Sequence, residues 1–184
     1  MTRYVALLRG INVGPSTAVP MARLAEVFER EGAENVTTVL RSGNVIFDAP
    51  DGLGADAAGP FEAGILAETG VRSGVLLLDA ETFVRIASAN PLLSADRDGS
   101  KLFVTFLSRN PETVRVPDPA DLAPEALVVG DGAVYQWMPD GSQRTAVPKS
   151  FWGQFPGTIT ARNQNTVDRL LTLLDPHSDV RGLG

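Results

Sequence analysis

A chain of 184 residues, 43% hydrophobic and 21% charged, carries enough apolar material for one globular domain or two small ones. It contains no cysteine, which removes disulfides, thiolate metal sites and thiol catalysis. A net charge of -6 and a pI near 4.8 argue against nonspecific attraction to nucleic acid or to an anionic membrane surface.

The opening MTRYVALLRG holds an apolar run that Arg9 interrupts, too short for a signal peptide or a membrane span, so a cytoplasmic, soluble protein is expected. YVALL (4–8) reads as a buried strand. A glycine-rich turn follows, then Pro20 at a helix start and Met21, Leu24, Val27 and Phe28 at helical spacing until Gly32. VTTVLRSG (36–43) and NVIFDA (44–49) are β-branched runs split by Ser42, Gly43 and Asn44, as two antiparallel strands with a tight turn require. A helix around Pro60 to Thr69, ended by Gly70, and the strand VRSGVLLLD (71–79) complete the order strand, helix, strand, strand, helix, strand. That is the split β-α-β unit of ferredoxin-like folds.

The second half is less regular. AETFVRIASAN (80–90) has an uneven helical pattern closed by Asn90-Pro91, and KLFVTFLS (101–108) is a strong strand. Pro111, Pro117, Pro119 and Pro124 mark an irregular connection, and ALVVGDGAVYQWM (126–138) reads as a hairpin turning at Gly130-Asp131-Gly132. Val167, Leu170, Leu171 and Leu174 follow the i, i+3, i+4, i+7 rule of an amphipathic helix, after which the tail DPHSDVRGLG is expected to fray. The mixed pattern predicts an α+β fold with a first subdomain over 1–80 and a second over 81–184. No sequence repeat is evident, although the two halves could be alike in structure.

Three polar clusters stand out. Arg9, Gly10, Asn12 and Gly14 lie between a strand and a helix, where backbone N–H groups and a helix N-terminus favour an anion. They match neither the P-loop nor the dinucleotide fingerprint, and turn geometry with a local carboxylate for Arg9 accounts for them equally well. In "RSGN", turn chemistry explains Ser42, Gly43 and Asn44 but leaves Arg41, which can point along the same sheet edge as Arg9. Two neighbouring arginines repel unless an anion or carboxylate lies between them. In TARNQNT (160–166), Asn165 as N-cap with Asp168 resembles a capping box. Arg162 and Asn163 are left over, and with Lys149 upstream they add donors at a second helix start. The lone His177 sits in the tail, so neither a histidine triad nor a histidine metal site is expected, and no metal or cofactor is called for.

The segments YVALLRGINVG, PMARLAEVFEREGAENVTTVLRSGNVIF and TARNQNTVDRLLTLL together resemble the signature segments of the DUF1697 family, whose function is unassigned. The resemblance implies a pair of ferredoxin-like subdomains, of which the chain pattern makes the second irregular, and implies no reaction, cofactor or partner. Arg9, Gly10, Asn12, Gly14, Met21, Ser42, Gly43, Asn44, Arg162, Asn163 and Thr166 match the family pattern. The chain departs from it at Pro15-Ser16-Thr17, where the family has a further glycine and a basic residue, and at Gln164, where it has tryptophan.

The favoured expectation is a small anionic ligand held between the two subdomains by Arg9, Asn12, Arg41, Ser42, Asn44, Lys149, Arg162 and Asn163. Were the protein an enzyme, a carboxylate, tyrosine or lysine would have to move the proton. A single-stranded nucleic-acid module is the competing class, but the aromatics on adjacent strands that such sheets use are missing, since Phe47, Phe103 and Phe106 read as core. A structural role through protein contacts is the third, and needs an exposed apolar patch at a sheet edge.

Overall fold

The computed structural model describes residues 1–174, so His177 and the tail around it lie outside the described residues. The chain divides into two compact units, Met1–Phe83 and Val84–Gly184.

Unit 1 begins with β1 (Thr2–Arg9), α1 (Met21–Arg30), β2 (Glu34–Val39) and β3 (Asn44–Ala49), followed by α2 (Ala58–Thr69) and β4 (Gly74–Asp79). Its sheet is antiparallel in the order β2-β3-β1-β4, the ferredoxin-like arrangement the strand and helix order predicts. Alternation along β1 sends Tyr4, Ala6 and Leu8 to the face that α1 and α2 cover, where they join Leu24, Val27, Phe28, Phe47 and Phe61 in one core. Phe28 stacks on Phe61 with ring centroids 4.5 Å apart and meets Phe47 edge-on at 5.3 Å. The Tyr4 hydroxyl stays inside because it finds polar partners, accepting from Leu53 N–H at 3.1 Å and lying 3.4 Å from Pro50 O.

α3 (Ala80–Ser88) runs across the division between the units. Unit 2 continues with β5 (Leu102–Leu107), α4 (Pro119–Leu122), β6 (Ala126–Val129) and β7 (Ala133–Trp137), then α5 (Lys149–Trp152), β8 (Ile159–Asn163) and α6 (Gln164–Leu174). Its sheet, β6-β7-β5-β8, repeats the order of unit 1 strand for strand, again antiparallel throughout. The irregularity lies in the helices: α4 and α5 have four residues each, against ten and twelve in α1 and α2. Side chains compensate. Leu107, Leu122, Val134, Val147, Phe151 and Phe155 form a core under the short helices. The Glu125 carboxylate gathers Gln136 Nε2, Thr145 Oγ1 and Ala146 N–H at 2.7 to 3.1 Å, fixing the loops around them.

The sequence expectation for the last helix is corrected at its start. α6 begins at Gln164, and its cap is Asn163, whose Oδ1 accepts from Thr166 N–H at 3.0 Å and from Thr166 Oγ1 at 2.9 Å. Asn165 is already helical. β8 runs directly into the helix without a linker, so the capping position falls two residues earlier than the local pattern suggests.

Candidate functional site

The polar residues of unit 1 meet at the end of its sheet where β1 stops, β2 turns into β3 and β4 begins. Leu8 N–H donates to Gly43 O at 2.8 Å, which sets the β2–β3 turn against the end of β1. Ile11, 3% exposed, then folds back over that turn. Gly43 leaves the room it needs: a Cβ there would stand 2.7 Å from Ile11 Cδ1 and 2.8 Å from Leu8 Cβ, on a backbone with φ +82°.

Asn12, itself at φ +54°, clasps the loop. Its Oδ1 accepts from Val19 N–H at 2.9 Å, and its Nδ2 donates to Val19 O at 3.2 Å and to Arg41 O at 2.7 Å. Both amide hydrogens are thereby used to hold backbone. Thr17, one of the residues by which the loop departs from the family pattern, closes it from within, its hydroxyl accepting from Val13 N–H at 3.1 Å and Gly14 N–H at 3.2 Å. Asn44, fully buried, donates to Val39 O at 2.7 Å and to Ser42 Oγ at 3.0 Å, so it braces the turn that carries Arg41. On the other side, the Ser73 hydroxyl donates to Arg9 O at 3.0 Å and ties the start of β4 to the end of β1.

These clasps leave a particular set of cations outside. Unit 1 holds six arginines and no lysine or histidine. Arg3 pairs with Asp48 at 2.9 Å, Arg23 with Glu26 and Glu68 at 3.1 and 3.2 Å, and Arg30 with Glu68 at 3.2 Å. The other three, Arg9, Arg41 and Arg72, are exposed, stand at this one end of the sheet and form no ion pair among the described residues. Residues 9–19, 40–44 and 69–75, which build the end, contain no Asp or Glu of their own; Glu62 reaches them from α2, its Oε1 accepting from Val75 N–H at 2.8 Å. The N-terminus of α1, with no acidic residue in its first turn, follows the same loop.

The remaining sequence candidates belong to unit 2. Lys149 is exposed at the start of the four-residue α5. Arg162 is buried at 6% exposure on β8, with Nη1 donating to Thr160 Oγ1 and Ala161 O, each at 2.8 Å. Burial pushes its guanidinium down to about 10, which leaves it charged at neutral pH. Asn163 is the cap described above. A groove of about 940 Å³ beside α5 is lined by Val114, Val116, Pro148, Phe151 and Gln154, and Gln154 grips the Arg115 backbone, accepting from its N–H at 2.8 Å and donating to its C=O at 3.1 Å. Phe47 and Phe106 are fully buried and Phe103 partly so.

Sequence reasoning missed Arg72, Ser73 and Thr17. Arg72 and Ser73 lie inside an apparently continuous strand, but β4 begins only at Gly74, whose pairing with Arg9 sets the two residues before it beside the end of β1. Among the described residues, no three His, Asp or Glu side chains gather to hold a metal ion, and no helix is long and apolar enough to cross a membrane.

Two antiparallel four-stranded sheets in the same order, each built from a β-α-β-β-α-β run, define an α+β protein of tandem ferredoxin-like units. Residues 1–135 match the family described as protein of unknown function, DUF1697, and the chain belongs to that family. Among solved structures it is similar to a conserved bacterial protein, SP0830 from Streptococcus pneumoniae, with 26% identity and a TM-score of 0.66 over 95% of this chain and 98% of that one. No curated protein matches.

Proposed function

We propose that the protein binds a small anionic ligand at the end of the unit 1 sheet, through Arg9 and Arg41 with Arg72 beside them. The observation that carries this reading is the division of the six unit 1 arginines: three are paired with carboxylates elsewhere, and three stand at one sheet end without an ion pair among the described residues, the nearby Glu62 using Oε1 on Val75 N–H. Holding like charges together is unfavourable without a counter-charge, and guanidinium groups recognise carboxylate or phosphate through paired hydrogen bonds. Asn12, Ser42 and Asn44 support the site by fixing the backbone from which Arg41 projects. The α1 N-terminus adds a partial positive charge that favours the same ligands.

Thermal-shift and calorimetric titration with inorganic phosphate and pyrophosphate test the reading. Stabilisation that falls as salt rises, is lost in Arg9→Ala and Arg41→Ala, and persists in Lys149→Ala is the expected result. No stabilisation by either anion, or an undiminished one in both arginine variants, would refute it.

A further inference from the structure

The arginine end of unit 1 carries a second, independent property. Beside Met1, the large apolar side chains that unit 1 leaves exposed are Val13, at 80%, and Leu40, at 53%. Each is the direct chain neighbour of one partner in the 2.7 Å hydrogen bond between Asn12 Nδ2 and Arg41 O, so the two lie on the same surface as the arginines. Leu40 is moreover held at φ +58°, a left-handed conformation that a bulky side chain adopts at a cost of roughly 1–2 kcal/mol. A residue that tolerates this geometry, such as Asn or Gly, would relieve the strain and remove the exposed apolar surface together. The turn keeps leucine.

The number and placement of the cations bear on the anion. Arg41 stands over the β2–β3 turn, Arg9 ends β1 and Arg72 precedes β4, and β3, β1 and β4 are successive strands of the sheet. Adjacent strands lie about 4.8 Å apart, so the anchor points span about 10 Å. Arginine arms can reach inward over that width, so the charge decides: a single phosphate carries about two negative charges at neutral pH against three guanidinium groups, whereas two linked phosphates carry about three and offer more oxygens to pair with them.

Resting on the anion-binding reading above, we infer that the ligand is an organic diphosphate of the nucleoside diphosphate class, its phosphates on Arg9, Arg41 and Arg72 and its ring portion over Val13 and Leu40. Guanidinium forks take the phosphates in pairs of hydrogen bonds, and the two apolar side chains lose their water against the ring.

Calorimetric titration of the full chain with phosphate, pyrophosphate, ADP and adenosine tests this. ADP is expected to bind about tenfold more tightly than pyrophosphate, from the apolar area covered, with pyrophosphate ahead of phosphate and adenosine giving no heat. Leu40→Asn, which suits the left-handed backbone and so keeps the fold, should weaken ADP about fivefold and leave pyrophosphate unchanged. Equal affinities for ADP and pyrophosphate, equal affinities for phosphate and pyrophosphate, or an equal loss of ADP and pyrophosphate in Leu40→Asn would overturn the diphosphate inference while the anion site stands. Absence of binding by all three phosphates, or adenosine binding as well as ADP, would overturn both.

Discussion

In unit 1 the turn between the second and third strands carries Arg41, and the adjoining strand ends add Arg9 and Arg72, none of them in an ion pair among the described residues, while the nearby Glu62 carboxylate accepts from Val75 N–H. In unit 2 the turn at the same place in the same sheet order, residues 130–133, carries Asp131, which accepts from Arg85 Nη1 at 3.0 Å and from Asn110 Nδ2 at 2.6 Å. The backbone solution is shared: Leu8 N–H donates to Gly43 O at 2.8 Å in one unit, and Leu107 N–H donates to Gly132 O at 2.9 Å in the other. Both glycines sit at positive φ, +82° and +78°. The same turn thus carries a carboxylate paired with an arginine in unit 2 and an exposed arginine without an ion pair among the described residues in unit 1. Because the fold is satisfied by either ending, the charge in unit 1 is not a requirement of the turn.

The largest effect that bears on this comparison is expected at the two glycines. Gly43→Ala should destabilise the protein by about 3 kcal/mol, since the new Cβ meets Leu8 Cβ as well as Ile11 on a left-handed backbone. Gly132→Ala meets only the end of Ile86, at 2.7 Å from Cδ1, and should lose about 1–2 kcal/mol. Denaturant unfolding measures both, and equal losses would mean that the two turns are held alike. Asn12→Ala comes next, at about 2 kcal/mol, because it releases Val19 N–H and two carbonyls and puts alanine at φ +54°. A loss under about 0.5 kcal/mol would show that the clasp contributes little.

Arg41→Asp gives the unit 1 turn the charge that unit 2 has. Pyrophosphate affinity should fall by about tenfold or more, with stability changed by no more than about 0.5 kcal/mol, as calorimetry and thermal melts would show. Retained affinity would place the anion elsewhere. The smallest effect contrasts the two ends of β1. The Arg3 guanidinium, with the Asn35 amide, holds the Asp48 carboxyl below its ordinary value of 3.8. This group stabilises the fold fully above its unfolded pKa and loses that contribution as the pH falls through its lower folded pKa. Arg3→Met should therefore cost about 0.5 kcal/mol near pH 6, a deficit that closes toward pH 3 and below, whereas Arg9→Met should show no such acid-dependent deficit. Stability measured by urea unfolding across that range separates the two, and parallel profiles would erase the distinction between paired and unpaired arginines.

Much of this fold is legible along the chain because its stabilising patterns are local. Leu24, Val27 and Phe28 at helical spacing, the two β-branched runs on either side of Ser42-Gly43-Asn44, and Val167 with Leu170 each state their element within a dozen residues, and α1, the β2–β3 hairpin and α6 follow. β8 is not legible in this way: ITARN alternates in the opposite sense to an ordinary core strand, with polar Thr160 and Arg162 buried and Ala161 exposed, and its strand character comes from pairing with β5 through Val104↔Arg162. The four-residue α4 and α5 are too short to show a period.

The α+β class, the strand and helix order of unit 1, and the separate presence of Arg9, Arg41 and three segments without Asp or Glu are all written in runs of neighbouring residues. Tertiary structure alone decides that those segments share one sheet end. Residues 9, 41 and 72 are each about thirty positions apart, and register, Asn12 reaching Arg41 O and Ser73 reaching Arg9 O bring them together. It also decides that Asn12 and Asn44, which look in sequence like ligand donors, direct their amides at backbone carbonyls. A carbonyl withdrawn from water needs a donor, and each of these amides is positioned to supply one.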